Sequence, residues 1–235
     1  VHTSVIIPAA GTGKRFNTDI PKQFTLLNDI PIIIHTLKLF NDNPQIHSII
    51  IAAAKDQIEY MNLLVNKYGV AKVKDIVCGG NERHFSVQAA LDTSCAANAD
   101  IILIHDAVRP FTSETLVNAV INTASRFGAA IPVLIPKDTI KLSSDDNTIS
   151  STLDRKKLRA AQTPQGFKRD IIFNAYQFAQ TNNIQATDDA SVVEAGGGIV
   201  HCIEGEENNF KITTQLDFSL AQIICQQSLS NATTI

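Results

Sequence analysis

Three unbroken aliphatic runs, Val5-Ile6-Ile7, Ile49-Ile50-Ile51 and Ile101-Ile102-Leu103-Ile104, do most to limit what this chain can become. A strand with one wet face alternates apolar and polar residues, so a run without polar interruption belongs to a strand buried on both faces. Expected strands are Ser4–Pro8, Ser48–Ala53, Lys74–Val77, Asp100–His105 and Ala129–Val133. Amphipathic helical patterns fall between them at Pro31–Asn41, Gln57–Tyr68, Arg83–Thr93 and Thr112–Phe127. That alternation builds βαβ crossovers. The expected fold class is α/β, a mostly parallel twisted sheet with helices on both faces.

The pattern changes between Pro136 and about Ala160. Two short extended stretches, Thr139–Leu142 and Thr148–Leu153, flank the polar turn Ser143-Ser144-Asp145-Asp146-Asn147 and read as a projecting β-hairpin. A helix is expected at Arg169–Thr181 and a last strand at Ile199–Ile203. Thr214 and Asp217 have capping-box spacing ahead of Phe218, Leu220, Ala221, Ile223 and Ile224, which reads as a packed final helix with a frayed polar tail from Ser228. With 235 residues, one domain spanning 1–235 is expected, with 136–160 as an inserted arm.

A net charge of -3 leaves no electrostatic footprint for a nucleic acid, so any cationic function must be local to a cleft. No apolar run reaches membrane-spanning length, and no basic leader precedes the first apolar run, so neither a membrane anchor nor a signal peptide is expected. Cys78, Cys95, Cys202 and Cys225 are scattered without metal-ligand spacing, which points to reduced thiols and a cytoplasmic protein.

In open parallel sheets, ligands bind beyond the carboxyl ends of the strands. The unusual polar residues gather there. After the first strand comes Ala9-Ala10-Gly11-Thr12-Gly13-Lys14-Arg15, with Pro21-Lys22-Gln23 downstream. Small residues and glycines let backbone amides approach a phosphate chain, and Lys14, Arg15 and Lys22 add cationic donors. A P-loop would need Gly at Pro8 and Ser or Thr at Arg15; a dinucleotide fingerprint would need Gly at Phe16. Gly79-Gly80-Asn81-Glu82-Arg83 follow the third strand, Asp106 and Arg109 the fourth, and Asp138-Thr139 the fifth. Asp106 fits poorly as a cap for the helix near Thr112, across Pro110; inside a triphosphate site its carboxylate points to Mg²⁺, held directly or through water. Thr187 reads as a helix cap with Asp188 and Asp189 in the first turn, which alone explains them. By the same reading Lys211 is a solvated cation, Arg155 a hairpin charge beside Asp154, and Gln162-Thr163-Pro164-Gln165 an uninformative polar block.

Taken in order, these blocks resemble one family, the 2-C-methyl-D-erythritol 4-phosphate cytidylyltransferases. The matching blocks are Ala9-Ala10-Gly11-x-Gly13-x-Arg15, Pro21-Lys22-Gln23, Gly79-Gly80-x-x-Arg83-x-x-Ser86-Val87 and His105-Asp106-x-x-Arg109-Pro110. They continue with Asp138-Thr139-Ile140-Lys141, Asp154-Arg155-x-x-Leu158, Gln162-Thr163-Pro164-Gln165-x-Phe167, Thr187-Asp188-Asp189-Ala190-Ser191 and Asn209-x-Lys211-Ile212-Thr213. The resemblance implies a Rossmann-like nucleotidyltransferase sheet and transfer of CMP from CTP to a sugar-alcohol phosphate, with Mg²⁺. It implies that Ala9 to Lys14 hold the triphosphate, that Arg15 and Lys22 are catalytic, and that Gly80, Asn81 and Ser86 recognise cytidine. It assigns Asp106, Arg109, Thr139, Arg155 and Lys211 to the sugar phosphate, and makes the hairpin a homodimerisation arm that brings Arg155 or Thr139 near the partner's site. Phe16, Val108, Arg159 and Phe210 depart from the family pattern without removing a charge. Ribitol 5-phosphate cytidylyltransferases share several blocks, but Lys141 and the Asp154-Arg155 pair favour the methylerythritol enzymes. A catalytically dead nucleotide-binding module would not need Arg15, Lys22, Arg155 and Lys211 together.

Overall fold

The computed structural model describes residues 1–11 and 20–232, with side chains through Gln227. In chain order, β1 (Thr3–Ala9) is followed by the short ribbon β2 (Leu26–Leu27) and β3 (Ile30–Pro31), then α1 (Ile32–Asp42), β4 (Ser48–Ala53), α2 (Ile58–Lys67), β5 (Val73–Cys78), α3 (Arg83–Leu91) and α4 (Ser94–Ala97). The chain continues through β6 (Ile101–Ile104), α5 (Glu114–Phe127), β7 (Ala129–Leu134), β8 (Lys141–Ser143), β9 (Ile149–Thr152), β10 (Ala160–Ala161) and β11 (Gln165–Lys168). It ends with α6 (Arg169–Thr181), α7 (Asp189–Ala195), β12 (His201–Glu204) and α8 (Gln215–Ala232).

The aliphatic runs form the centre of the sheet. β1 pairs in parallel with β4 on one side and β6 on the other, aligning Val5 with Ile49 and Leu103, and β5 extends the sheet beyond β4. Alternate residues of a strand point to opposite faces. Val5, Ile7, Ile49, Ile51 and Leu103 accordingly pack with Leu37 and Phe40 of α1, Met61 of α2 and Val117 of α5. Ile6, Ile50, Ile102 and Ile104 pack with Val87 of α3, Ile172 of α6 and Val192 of α7. Both faces are covered, which is why these aliphatic runs are not interrupted by polar residues.

The sheet departs from the sequence reading at β11. The order β10-β7-β11-β6-β1-β4-β5 inserts β11 antiparallel between β6 and β7, with β12 parallel to β7. β11 is Gln-Gly-Phe-Lys, without a β-branched residue, so it carries no strand signal of its own. Tertiary packing makes it a strand. A Cβ at Gly166 would stand 2.5 Å from Val120 of α5 and 3.0 Å from Leu103, so glycine lets the helix approach. β10 and β11 both run against β7, and the buried Gln162-Thr163-Pro164 joins them with a cis Thr163–Pro164 bond.

The remaining differences are local. Asp188, not Thr187, is the N-cap of α7: its carboxylate accepts from Ser191 N at 2.9 Å, and its own amide donates to Ser191 Oγ at 3.1 Å. At α8 the expected box is present, with Thr214 N donating to Asp217 Oδ2 at 2.7 Å and Asp217 N to Thr214 Oγ1 at 3.2 Å. That helix packs less than expected: Ala221 is buried, but Leu220 and Ile223 lie exposed. β8 and β9 pair with each other as a two-stranded sheet, and every residue of both is exposed.

Candidate active site

The carboxyl edge of the sheet positions the candidate residues. At the end of β1, Ala9 is buried, Ala10 half-buried and Gly11 exposed; Thr12, Gly13, Lys14 and Arg15 lie outside the described residues. Gln23 fixes this edge, donating through Nε2 to the carbonyls of Ala9 at 2.8 Å and Gly11 at 3.3 Å. Its neighbour Lys22, half-buried, opens a short 3-10 turn over Lys22–Phe24. Burial would push the Asp217 carboxyl up, but the amides of Thr213 and Thr214, with the nearby Lys22 charge, hold it below the usual carboxylate range.

The next loop packs onto the first. A Cβ at Gly79 would lie 2.7 Å from Ala10 Cβ and 2.7 Å from Ser86 Oγ, so the glycine brings the two loops together. Gly80 N donates to Ser86 Oγ at 3.1 Å, and the buried Ser86 thereby anchors the turn while Asn81 stays exposed.

Asp106, just beyond β6, gathers three cations from three parts of the chain. Arg109 Nε lies 3.0 Å and Lys211 Nζ 3.2 Å from its Oδ2, and Arg83 Nε lies 3.7 Å from Oδ1. Burial alone would push the Asp106 carboxyl up; Lys211, Arg83 and Arg109 together hold it well below the usual carboxylate range. Arg83 also donates through Nη2 to the fully buried Asp189 at 2.6 Å, whose other oxygen accepts from Tyr176 OH at 2.7 Å. Burial would lower the Arg83 pKa, but Asp189 and Asp106 raise it, and burial with Asp189 raises that of Tyr176. With Arg83 paired to Asp189, Arg109 and Lys211 share a single carboxylate, a local excess of positive charge suited to a phosphate.

A buried polar block supports this cluster. Arg109 Nη1 donates to the carbonyl of Asn209 at 2.7 Å, and Asn209 Nδ2 donates to the carbonyl of Thr163 at 2.8 Å. Thr112 Oγ1 donates to Asn209 Oδ1 at 2.7 Å, and Gln162 Nε2 donates to Glu206 O at 2.8 Å. Gln165 ties in the cap of α7, donating to Asp188 Oδ2 at 2.7 Å and accepting from Ala190 N at 2.9 Å. Arg83, Asp189, Gln162, Thr163 and Asn209 were missed as site residues when read singly. The signal available was their position in the ordered blocks.

Thr139 and Arg155 stand apart from the cluster within one chain. Thr139 is exposed, and Arg155 Nη1 donates to the carbonyl of Lys137 at the root of the arm, at 2.8 Å. The donor set does not fit a metal held by Asp106 itself. A divalent ion of this class takes about six oxygens, whereas Asp106 faces three cations, and among the described residues no three His, Cys, Asp or Glu side chains group as ligands.

The end of β1 and the cations beyond β6 share one carboxyl edge on adjacent strands, where open α/β sheets bind ligands, and the proteins this chain matches are nucleotidyltransferases. The family model described as 2-C-methyl-D-erythritol 4-phosphate cytidylyltransferase matches residues 3–227. Enzymes of that name from Clostridium novyi and Clostridium beijerinckii are each 42% identical to this chain, over 94% and 93% of it and 95% and 96% of their own lengths. Among solved structures, 4-diphosphocytidyl-2C-methyl-D-erythritol synthase from Anaerococcus prevotii superposes with a TM-score of 0.83 at 29% identity, covering 96% of this chain and 98% of its own. The Thermus thermophilus 2-C-methyl-D-erythritol 4-phosphate cytidylyltransferase superposes with a TM-score of 0.77 at 31% identity, covering 96% and 100%. The chain belongs to the 2-C-methyl-D-erythritol 4-phosphate cytidylyltransferase family.

Proposed function

We infer that this chain transfers CMP from CTP to the phosphate of 2-C-methyl-D-erythritol 4-phosphate, releasing pyrophosphate and forming 4-diphosphocytidyl-2-C-methyl-D-erythritol. Family membership supports the activity, and the observation that carries it at the residue level is the Asp106 cluster, with Arg109 and Lys211 held together beyond β6. A phosphate oxygen of the sugar phosphate attacks the α-phosphorus of CTP; the new P–O bond forms as the bond to the β-phosphate oxygen breaks, and pyrophosphate leaves. The attacking oxygen is already ionised, so no general base is required. The reaction needs two anions aligned and the charge on a pentacoordinate phosphorus neutralised.

In this reading Ala9, Ala10, Gly11, Thr12, Gly13 and Lys14 hold the triphosphate, and Arg15 and Lys22 stabilise the transition state. Gly80, Asn81 and Ser86 read the base, while Asp106, Arg109 and Lys211 hold the sugar phosphate. CTP enters as its complex with Mg²⁺ or another divalent ion, bound chiefly by phosphate oxygens. Residues 1–235 act as one nucleotidyltransferase domain, and the 136–160 arm joins two copies, taking Thr139 and Arg155 toward the neighbouring site. The arm's exposed Ile140, Leu142 and Ile149 support that, because an isolated two-stranded hairpin is marginal in water. A cytoplasmic location agrees with the four free cysteines, and no helix among the described residues is long and apolar enough to cross a membrane.

The test is pyrophosphate release from CTP with 2-C-methyl-D-erythritol 4-phosphate and with ribitol 5-phosphate in turn. Turnover with the first alone is expected. Preference for the second would move the substrate assignment, and turnover of neither would leave a nucleotide-binding module.

A further inference from the structure

His105 closes β6 and is fully buried, its ring edge-on to Phe40 with centroids 4.9 Å apart. Both of its nitrogens are engaged. Nε2 lies 3.1 Å from the carbonyl of Arg109, and Nδ1 lies 3.0 Å from Thr163 Oγ1. A carbonyl can only accept, so Nε2 carries the proton. The Thr163 hydroxyl accepts from the amide of Asp106 at 3.1 Å, which leaves its own proton for Nδ1. The donors therefore run one way, from Asp106 N–H to Thr163 Oγ1, from Thr163 O–H to His105 Nδ1, and from His105 Nε2–H to Arg109 C=O. Arg109 N also donates to the carbonyl of Asp106 at 3.2 Å, closing the turn.

We propose that neutral His105, protonated at Nε2, and Thr163 form a positioning pair that pins the Asp106–Arg109 turn at both ends and so sets the geometry of the sugar-phosphate pocket. This rests on the reading that Arg109 binds that phosphate. Neither His105 nor Thr163 needs to touch substrate. The Asp106 amide and the Arg109 carbonyl are held by the pair, while their side chains meet each other at 3.0 Å beside Lys211. A second proton on His105 would reverse the contact: Thr163 Oγ1 would accept from Nδ1–H as well as from the Asp106 amide, and its own proton would lose its partner. The charged groups facing the ring are the Asp106 carboxylate, which favours protonation, and the Arg109 guanidinium, which opposes it; Thr163 and Phe40 face it as neutral groups. Burial dominates and pushes the His105 pKa down to about 4, so the neutral form persists across the working range.

The test uses the full chain with ¹⁵N-labelled histidine. The protein has six histidines. Spectra are expected to show one, assigned through His105→Gln, as the Nε2–H tautomer without titration between about pH 5.5 and 8. Thr163→Val removes the hydroxyl at near-constant shape. It is expected to raise the sugar-phosphate KM about three- to tenfold, the range for one neutral hydrogen bond, with the CTP KM unchanged, and to move the His105 Nδ1 resonance to that of a nitrogen without a donor, while the still-buried ring stays neutral. Thr163→Ser should restore both. A His105 found as the Nδ1–H tautomer would overturn the proposal, as would a Thr163→Val protein with normal sugar-phosphate KM and an unmoved His105 Nδ1 resonance. If Arg109→Lys leaves the sugar-phosphate KM untouched, the phosphate role of Arg109 fails instead; the tautomer and its response to Thr163→Val then decide the positioning pair.

Discussion

Replacing Asp189 by Asn probes the deepest ion pair of the site. Asp189 has no exposed surface, and its two oxygens receive Arg83 Nη2 at 2.6 Å and Tyr176 OH at 2.7 Å. The substitution keeps the shape, removes the charge and turns an amide NH₂ toward a donor. Breaking a fully buried pair costs about 3–5 kcal/mol. Arg83 keeps 29% of its side chain open to water and retains Asp106 at 3.7 Å, so the expected loss is about 2–3 kcal/mol. For a chain of this length that lowers Tm by roughly 5–10 °C. Tyr176→Phe removes one hydrogen bond to a charged acceptor, about 1.5 kcal/mol. Both changes act on one bonded unit, so the double variant should lose less than the sum, by at least about 0.5 kcal/mol. Urea unfolding of the four proteins at unchanged m-value measures this. Additive losses, or an Asp189→Asn protein as stable as the parent, would refute the claim that this network supports Arg83.

Lys22→Ala should lower kcat on the order of 10²–10³-fold while CTP binding weakens far less, as for loss of other preorganised donors to a transition state; near-normal kcat with a raised CTP KM would demote Lys22 to uniform binding. UTP should be turned over at least about tenfold less efficiently than CTP, because polar partners near Gly80, Asn81 and Ser86 left unpaired penalise the wrong base; equal turnover would count against that segment reading the base. Mixing Arg155→Ala with Lys22→Ala subunits should restore activity if the arm completes the partner's site, since each heterodimer then holds one intact site; no rescue would keep Arg155 within its own chain, and a monomer at micromolar concentration would remove the arm model. Asp106→Asn should raise the sugar-phosphate KM by at least about tenfold although it adds positive charge to the pocket; tighter phosphate binding would show that net charge, not geometry, governs the site.

What the sequence revealed divides by physical cause. β1, β4 and β6 were legible because burial on two faces leaves unbroken aliphatic runs. The start of α8 was legible because Thr214 and Asp217 cap it locally. β11 was hidden because Gln165-Gly166-Phe167-Lys168 becomes a strand by pairing with β6 and β7, a tertiary fact. In the site, the cations beyond the strand ends were visible by position, but their anchors were not. Asp189 looks like an ordinary first-turn acid, and nothing local says that it turns inward to Arg83 and Tyr176. The Gln162-Thr163 block reads as an uninformative polar stretch, yet its groups bond across the sheet edge to Asp106, His105 and Glu206. Partners 44 or more residues apart leave no spacing to read.

The predicted harm from Asp106→Asn follows from when the electrostatic work is done. Arg109 and Lys211 come from a loop after β6 and a loop before α8, and two cations brought together without an anion repel each other. Asp106 lets them share one carboxylate at 3.0 and 3.2 Å in the folded protein, while the Asn209 carbonyl accepts from Arg109 Nη1 and the Asn209 side chain is tied to the Thr163 carbonyl. Their mutual repulsion and much of their side-chain entropy are thus met during folding, so an arriving phosphate finds donors already aimed. With Asn at that position the pocket is more positive, but Lys211, 40% exposed, is free to move into solvent. The binding energy gained from charge would then be spent on drawing it back.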